Sequence, residues 1–158
     1  MEILAANDDD AATWLDGVVI AVDKYQRAGG MAGVHSALSR GRDVLVVAWD
    51  MPFVETGLLQ ALVTRAGGAE FSAVVPESHS PVGCEPFCAL YRIAALPAIE
   101  AYLASGGGAA HSFLRELAGV SWLPIREVAR FGDPARLFFS VNTAADLDRA
   151  RAMAETTQ

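Results

Sequence analysis

The segment Val44-Leu45-Val46-Val47-Ala48-Trp49-Asp50-Met51-Pro52 is an apolar, β-branched run that stops at a carboxylate. Its length, between Gly41-Arg42-Asp43 and Pro52, predicts a strand buried on both faces. Pro52 fits the first turn of a helix, which predicts a crossover helix from Glu55 to Ala66. Asp50 is then expected at the carboxyl end of a parallel strand, where open α/β sheets bind ligands. The spacing is equally compatible with an aspartate that only caps that helix.

Two earlier strands end in the same way. Ile3-Leu4-Ala5-Ala6 is followed by Asn7, and Val18-Val19-Ile20-Ala21-Val22 is followed by Asp23. If these strands lie parallel to the Val44 strand in one sheet, the three polar side chains emerge along one edge. The sequence therefore predicts a polar site built from three strand ends.

Composition limits the class of protein. The 158 residues form one predicted domain (1–158), with 53% hydrophobic and 20% charged residues, which is ordinary for a globular chain. A formal charge of −7 argues against nucleic-acid binding, which depends on lysine and arginine. No apolar run approaches the roughly 18 residues of a membrane span. Two cysteines and no recognisable signal peptide predict a cytoplasmic protein.

Three segments occur in an order that carries a resemblance. They are Gly29-Gly30-Met31-Ala32-Gly33 before a predicted helix, Asp50-Met51-Pro52-Phe53 after a strand, and Phe138-Phe139-Ser140-Val141-Asn142-Thr143 followed by Asp146-Leu147. Together they resemble the molybdenum cofactor guanylyltransferase family of nucleotidyltransferases. The resemblance implies an α/β fold, a Rossmann-like three-layer sandwich with a mostly parallel sheet. It also implies an enzyme that transfers GMP from GTP to molybdopterin.

The resemblance also implies roles for individual residues. Asp50 would be the catalytic residue and the ligand of a Mg²⁺ cofactor. Asn7 and Asp23 would hold the guanosine part of GTP. Asn142 and the polar loop from Glu77 to Pro86 would face the pterin, although many relatives have asparagine where this chain has Ser140.

Gly30 and Gly33 allow two interpretations. Glycines before a helix let backbone N–H groups approach an anion, which suits nucleotide binding. A tight turn with close helix–sheet packing explains them equally well from the residues alone. The expected partners are GTP, molybdopterin and, by resemblance, molybdoenzyme-maturation proteins, with no nucleic acid or membrane; no oligomeric state is predicted.

One family feature has no counterpart before Met1-Glu2-Ile3-Leu4. Members of the family open with a strand and a glycine-rich loop whose Arg and Lys hold the triphosphate. That strand is expected between the strands ending at Asn7 and Asp50, so a gap or open inner edge is expected beside Val44–Ala48. The 158 residues alone are then expected to bind GTP poorly, to be inactive and to be prone to aggregation.

Two other functions remain open at this point. One is a CTP-using or other-acceptor nucleotidyltransferase of the same fold. The other is a non-catalytic remnant that serves as an interaction module. An in-frame glycine-rich segment upstream of Met1 would indicate a displaced start, whereas a stop codon would favour the remnant.

Several local expectations complete the sequence-based interpretation. Cys88–Tyr91 is predicted as a buried strand of the main sheet, and a zinc site of His79, Cys84 and Cys88 is disfavoured because a fourth ligand is lacking. Glu127–Phe131 is predicted as a short strand. His35 is expected at the surface or at an interface, and Trp14 and Leu15 are expected to face inward from a short helix. The sequence from Thr143 to Asp146 resembles a capping box that opens a C-terminal helix.

Overall fold

The computed structural model describes residues 1–25, 28–67 and 71–155. The strands are β1 (Ile3–Ala5), β2 (Val19–Ala21), β3 (Val44–Val47), β4 (Ala73–Pro76), β5 (Cys88–Tyr91) and β6 (Val120–Leu123). The helices are α1 (Gly30–Leu38), α2 (Thr56–Ala66), α3 (Leu96–Ala104), α4 (Ala110–Glu116), α5 (Ile125–Val128), α6 (Pro134–Leu137) and α7 (Ala144–Glu155). Short 3₁₀ turns occur at Ala11–Thr13 and Ile93–Ala95.

Four strands form one sheet in the order β3-β5-β4-β6. β5 is antiparallel to both β3 and β4, whereas β4 and β6 are parallel. β3, β4 and β6 therefore share one direction, which confirms a mostly parallel sheet with one reversed strand. The predicted buried strand at Cys88–Tyr91 is confirmed as β5, which pairs within this sheet.

Helices cover both faces of this sheet and create three layers. Along β4, Ala73 and Val75 pack into one hydrophobic cluster, and Val74 packs into the other. α1, α3 and α4 complete the first cluster, and α2, α5 and α6 complete the second. Because alternate side chains enter two apolar layers, the strands appear in the sequence as continuous apolar runs.

β1 and β2 form a separate parallel sheet, in which Ile3 pairs with Val19 and Ala5 with Ala21. The prediction that the first three strands share one sheet is therefore wrong for β3. A cleft of about 1260 Å³ lies between β1 and β3, so the open inner edge expected beside Val44–Ala48 is confirmed. The two sheets stay separate because no described segment supplies a backbone hydrogen-bonding partner between them.

The predicted start of the crossover helix is wrong. α2 begins at Thr56 after an extended Glu55, so Pro52 lies in the preceding turn rather than in the first turn of the helix. Asp50 is consequently too far from α2 to cap it.

The strand predicted at Glu127–Phe131 is instead α5 and the turn after it. α5 begins at Ile125, because the Glu77 carboxylate accepts the backbone N–H of that residue at 3.0 Å.

The predicted burial of three side chains is also wrong. Trp14 and Leu15 are 47% and 57% exposed, because their segment forms only a 3₁₀ turn. His35 is 2% exposed rather than at the surface. Its Nε2 lies 3.2 Å from Oε1 of Glu100, because α1 packs against α3 and encloses the ring.

The described helices are short. α7 has 12 residues, whereas a membrane-spanning helix needs about 20. Among the described residues, no helix has both the length and the apolar character needed to cross a membrane.

The Tyr91 hydroxyl provides a test of core packing. Tyr91 is fully buried, and its Oη donates to the carbonyl of Pro86 at 2.9 Å. Tyr91→Phe leaves that buried carbonyl without a donor and is expected to lower the free energy of unfolding by about 1–2 kcal/mol. Urea denaturation measures this change. Tyr102→Phe is the matched control, because it loses a similar bond to Ala109 at an exposed position; an equal loss in both variants would contradict the prediction.

Candidate functional site

Asn7 and Asp23 form a reciprocal pair at the ends of β1 and β2. Asn7 Nδ2 donates to Asp23 Oδ2 at 2.8 Å, and the backbone N–H of Asp23 donates to Asn7 Oδ1 at 2.9 Å. Ser36 on α1 donates to Asp23 Oδ1 at 3.3 Å. The parallel pairing of β1 with β2 brings these residues side by side, and their mutual hydrogen bonds hold the two polar groups together at one sheet edge.

Asp50 lies at the end of β3 and is tied to a segment far along the chain. Ser140 Oγ donates to Asp50 Oδ2 at 2.5 Å, and the backbone N–H of Val141 donates to the Asp50 carbonyl at 2.9 Å. Asp50 is half-buried and lines the cleft. Contacts from Ser140–Val141 therefore orient its carboxylate before any ligand arrives.

Five of the six residues selected from the sequence meet in one place. The cleft between the two sheets is lined by Asn7, Asp23, Gly30, Gly33 and Asp50. Asn142 does not line it. Its side chain is exposed, and its backbone N–H donates to Asp146 Oδ2 at 3.3 Å.

The glycines at the start of α1 are required by close packing. Gly29 has a φ of +62°, a left-handed conformation that side chains disfavour. A Cβ at Gly30 would lie 2.5 Å from the Phe87 ring, and one at Gly33 would lie 3.1 Å from Ala5 Cβ. The packing interpretation is thus supported. An anion at these backbone N–H groups stays a prediction.

The capping box at the start of α7 is confirmed. Thr143 Oγ1 donates to Asp146 Oδ2 at 2.8 Å, and the backbone N–H of Asp146 donates back to Thr143 Oγ1 at 3.1 Å. The hydrogen bond from Thr143 is the main reason that the pKa of Asp146 is lowered. The box fixes the chain just after Ser140–Val141, the segment that holds Asp50.

A second pocket, of about 330 Å³, lies at the carboxyl ends of β4 and β6. The polar loop forms one wall with His79 and Cys84, and α4 supplies His111 and Arg115. Sequence reasoning missed the two α4 residues. Their i, i+4 spacing places them on one helix face, and that spacing was the available signal.

The thiols give no support to metal binding. Burial raises the pKa of Cys84, and it raises the pKa of Cys88 to about 12. Both thiols are therefore harder to deprotonate than an exposed cysteine, and deprotonation is what zinc binding requires. Among the described residues, no group of three or more His, Cys, Asp or Glu side chains is placed to hold a metal ion.

The site does fit a cation that needs few protein ligands. Mg²⁺ is typically held by one or two carboxylates, with water and substrate phosphate oxygens completing the shell. Asp50 presents one such carboxylate into the cleft, and the Asp23 carboxylate lines the same space. A single oriented carboxylate at a strand end is sufficient for this kind of site.

A layered α/β domain with polar strand ends around a cleft has the features of the Rossmann-like nucleotide-binding class. A family model described as "MobA-like NTP transferase domain" matches residues 2–120. The chain therefore belongs to the MobA-like NTP transferase family.

Curated relatives and solved structures agree with this family. A molybdenum cofactor guanylyltransferase from Desulfosudis oleivorans is 30% identical, with 96% of this chain and 73% of the relative covered. A probable molybdenum cofactor guanylyltransferase from Methanosarcina mazei is 29% identical, with 80% of this chain but only 56% of the relative covered. The chain thus spans little more than half the length of the Methanosarcina relative.

The solved structures extend the agreement to the whole described fold. Molybdopterin-guanine dinucleotide biosynthesis protein A from Archaeoglobus fulgidus superposes with a TM-score of 0.82 at 27% identity, covering 98% of this chain and 78% of its own. A putative protein from Aquifex aeolicus superposes with a TM-score of 0.70 at 17% identity, which supports the fold alone.

The capping box yields a pH prediction. Because the pKa of Asp146 is lowered in the folded protein, its contribution to stability is present above the ordinary aspartate pKa and is lost as pH falls through the folded value. Thr143→Ala removes the main cause and is expected to raise the pKa of Asp146. Carboxyl titration by NMR measures this shift. Thr13→Ala is the control, since its hydroxyl donates only to the Asp10 carbonyl, and an Asp146 pKa unchanged by Thr143→Ala would contradict the assignment.

Proposed function

We propose that this chain carries the nucleoside and acceptor sites of a Mg²⁺-dependent molybdenum cofactor guanylyltransferase, which transfers GMP from GTP to molybdopterin. The main support is the convergence of Asn7, Asp23 and Asp50 on one cleft in a member of this family. The names of the curated relatives support the reaction.

The chemistry is an in-line displacement at the α-phosphorus of GTP. A phosphate oxygen of the acceptor forms the new P–O bond while the bond to the pyrophosphate leaving group breaks. Two anions must meet in this step, so the protein contributes positioning and charge neutralisation rather than a covalent intermediate. Mg²⁺, when bound, supplies positive charge to the phosphate oxygens.

In this proposal, the position of each polar residue in the cleft determines its role. Asp23 presents carboxylate oxygens that accept hydrogen bonds, and Asn7 presents an amide that donates and accepts. Their mutual bonds hold them ready for the donors and acceptors of the nucleoside. Asp50, oriented by Ser140, takes the role of metal ligand. Each group is held before binding, which lowers the entropy cost of ordering the site.

The charge of the cleft suggests that something further is needed for the triphosphate. Its lining includes the carboxylates of Glu2, Asp23, Asp43 and Asp50. The arginines that line it precede β3, at the end opposite Asp50, and one of them, Arg40, donates to the Ile20 carbonyl at 2.9 Å. Among the described residues that line the cleft, none beside Asp50 is lysine or arginine, which supports weak GTP binding and no turnover by the 158 residues alone.

In this proposal, the acceptor binds in the second pocket. β3, β4 and β6 share one direction, so the pocket at the ends of β4 and β6 opens at the same sheet edge as Asp50. His111 and Arg115, with His79 on the polar loop, would receive an anionic acceptor there. Asn142, just after the segment that binds Asp50, would contact the pterin between the two sites. Cytoplasmic location and contact with molybdoenzyme-maturation proteins belong to the same proposal.

One observation favours a second candidate, the non-catalytic interaction module. β1 and β3 face each other across the cleft as open strand edges, and such edges tend to pair with other chains. Turnover distinguishes the two functions, since only the transferase releases pyrophosphate. A comparison of GTP with CTP as the nucleotide separates the guanylyltransferase from a cytidylyltransferase.

Asp50→Asn tests the catalytic assignment. The assay uses the chain completed with the part of the Desulfosudis oleivorans relative that it does not cover. Loss of the metal ligand is expected to lower kcat/KM for GMP transfer about a hundredfold, or about 2.7 kcal/mol, with folding intact. Asp9→Asn, an exposed carboxylate of the acidic run after β1, is the control. Near-normal turnover in Asp50→Asn would refute the role.

Asn7→Ala and Asp23→Ala test the nucleoside assignment. Each variant removes a polar partner of the nucleoside and is expected to weaken GTP binding by about 1–3 kcal/mol in the same completed protein. Isothermal titration calorimetry measures the affinity, and His79→Ala at the second pocket serves as the control. Unchanged affinity in both variants would shift support to the CTP-using enzyme or the interaction module.

A further inference from the structure

Two aromatic rings lie beside the hydrogen bond that holds Asp50. Phe53 follows Asp50 by three residues, and Phe139 directly precedes Ser140. Their ring centroids lie 6.3 Å apart with the ring planes tilted by 54°, which is a favourable arrangement for an aromatic pair. The ring contact and the Ser140–Asp50 hydrogen bond therefore join the same two segments of the chain.

Each of the two rings also contacts an arginine. The Cζ of Arg136, on α6, lies 4.7 Å from the ring centroid of Phe53, and the Cζ of Arg149, on α7, lies 5.0 Å from that of Phe139. Both distances are within the roughly 6 Å reach of a cation–π contact. These four side chains form a continuous series of contacts, the aromatic column.

The aromatic column is separate from the hydrophobic core. Among the described residues, the two hydrophobic clusters do not include Phe53 or Phe139, whereas their neighbours Val54 and Phe138 pack against the second cluster. Both column rings are half-buried. The core thus anchors one residue of each segment, and the column adds a second contact outside the core.

The segment that holds Asp50 needs such a contact because it has little backbone pairing. Residues 139–142 belong to neither sheet, and the link from their backbone to Asp50 is the Val141 N–H. A slip of one residue moves an extended chain by about 3.3–3.6 Å, which is enough to carry the Ser140 hydroxyl away from the carboxylate. The Phe53–Phe139 contact opposes this slip, because it fixes the register of the two segments.

Arg149 connects the column to the start of α7. Its Nη1 lies 3.4 Å from Asp146 Oδ1, and the same carboxylate accepts the Thr143 hydroxyl in the capping box. The short segment that contacts Asp50 is therefore held at both ends, by Phe139 before it and by the capping box after it.

We infer that the aromatic column positions Asp50, with Phe53 and Phe139 as its central residues. These two residues do not line the cleft, so they act through the segment that contains Ser140. The inference rests on the proposed function, because it takes Asp50 as the metal ligand. Residues that orient a metal ligand typically change metal affinity about 10–100-fold when they are substituted, so a loosened column weakens metal binding.

Phe139→Leu removes the ring and keeps an apolar side chain. In the 158-residue chain, it is expected to speed amide hydrogen exchange at Val141 about tenfold or more relative to the amides of β5, because the bond to the Asp50 carbonyl opens more often. Phe139→Tyr retains the ring and is expected to keep the wild-type rate. Phe138→Leu is the matched control. It trims the core cluster and lowers overall stability, but it is expected to leave the ratio of Val141 exchange to β5 exchange unchanged.

Metal binding gives the second readout. Mn²⁺ alone is added to the 158-residue chain, and paramagnetic broadening of the amide signals of residues 48–51 reports its binding beside Asp50. Phe139→Leu is expected to raise the Mn²⁺ concentration at half-broadening about tenfold, and Phe139→Tyr is expected to restore the wild-type value. Phe138→Leu is expected to keep that value as well, because its column is intact.

Asp50→Asn separates failure of the inference from failure of the proposed function. If Asp50→Asn abolishes the broadening while a folded Phe139→Leu binds Mn²⁺ like the wild type, the inference alone is overturned. If the broadening persists in Asp50→Asn or is absent from the wild type, the metal role of Asp50 fails, and exchange at Val141 alone decides whether the column positions it. Equal losses in Phe139→Leu and Phe138→Leu would also overturn the inference.

A pair of surface arginines keeps the test valid if the ring variants fail to fold. Arg149 and Arg151 both have 68% exposed side chains on α7, and each pairs with the aspartate three residues earlier, at 3.4 Å and 3.2 Å. Of the two, only Arg149 lies over an aromatic ring of the described chain. Arg149→Gln is expected to speed exchange at Val141 about threefold, and Arg151→Gln is expected to leave it unchanged. Equal exchange rates in these two variants would overturn the inference.

Discussion

The close contact of α1 with both sheets is the constraint on which the rest of the site depends. Gly30 lets the helix approach Phe87 beside the main sheet, and Gly33 lets it approach Ala5 of the smaller sheet. A Cβ at Gly30 would overlap the Phe87 ring, and a Cβ at Gly33 would require a shift of a few tenths of an ångström at Ala5. Because the helix touches both, it sets the distance between the strand ends that carry the polar groups.

A second link joins the site to the far end of the chain. Ser140 and Val141 hold Asp50, and the capping box that begins at Thr143 holds that segment in turn. The metal-binding carboxylate of the proposal is therefore supported by residues about 90 positions away. Substitutions near α7 can thus alter the orientation of Asp50 without touching the cleft.

The sequence predicted most of the strands and three of the polar strand ends, because apolar β-branched runs and their end points are local patterns. It failed where tertiary contacts decide the outcome. His35 looked like a surface or interface residue, but α3 of the same chain encloses it beside Glu100. The residues at Glu127–Phe131 looked like a strand, but the carboxylate of Glu77, from another part of the chain, starts a helix there. The i, i+4 spacing of His111 and Arg115 is readable in the sequence, but their place in a pocket depends on the pairing of β4 with β6.

The separation of the two sheets has a consequence for the dynamics of the protein. The β1–β2 unit is joined to the main sheet by side-chain packing on α1 and by the Trp14–Trp49 stack, with no backbone ladder between β1 and β3. Cooperative units of a fold open independently when few backbone bonds connect them to the rest. The N-terminal region is therefore expected to open as a subglobal unit at a lower free energy than the four-stranded sheet. Asn7 and Asp23 would move with that unit, while Asp50 would stay with the four-stranded sheet.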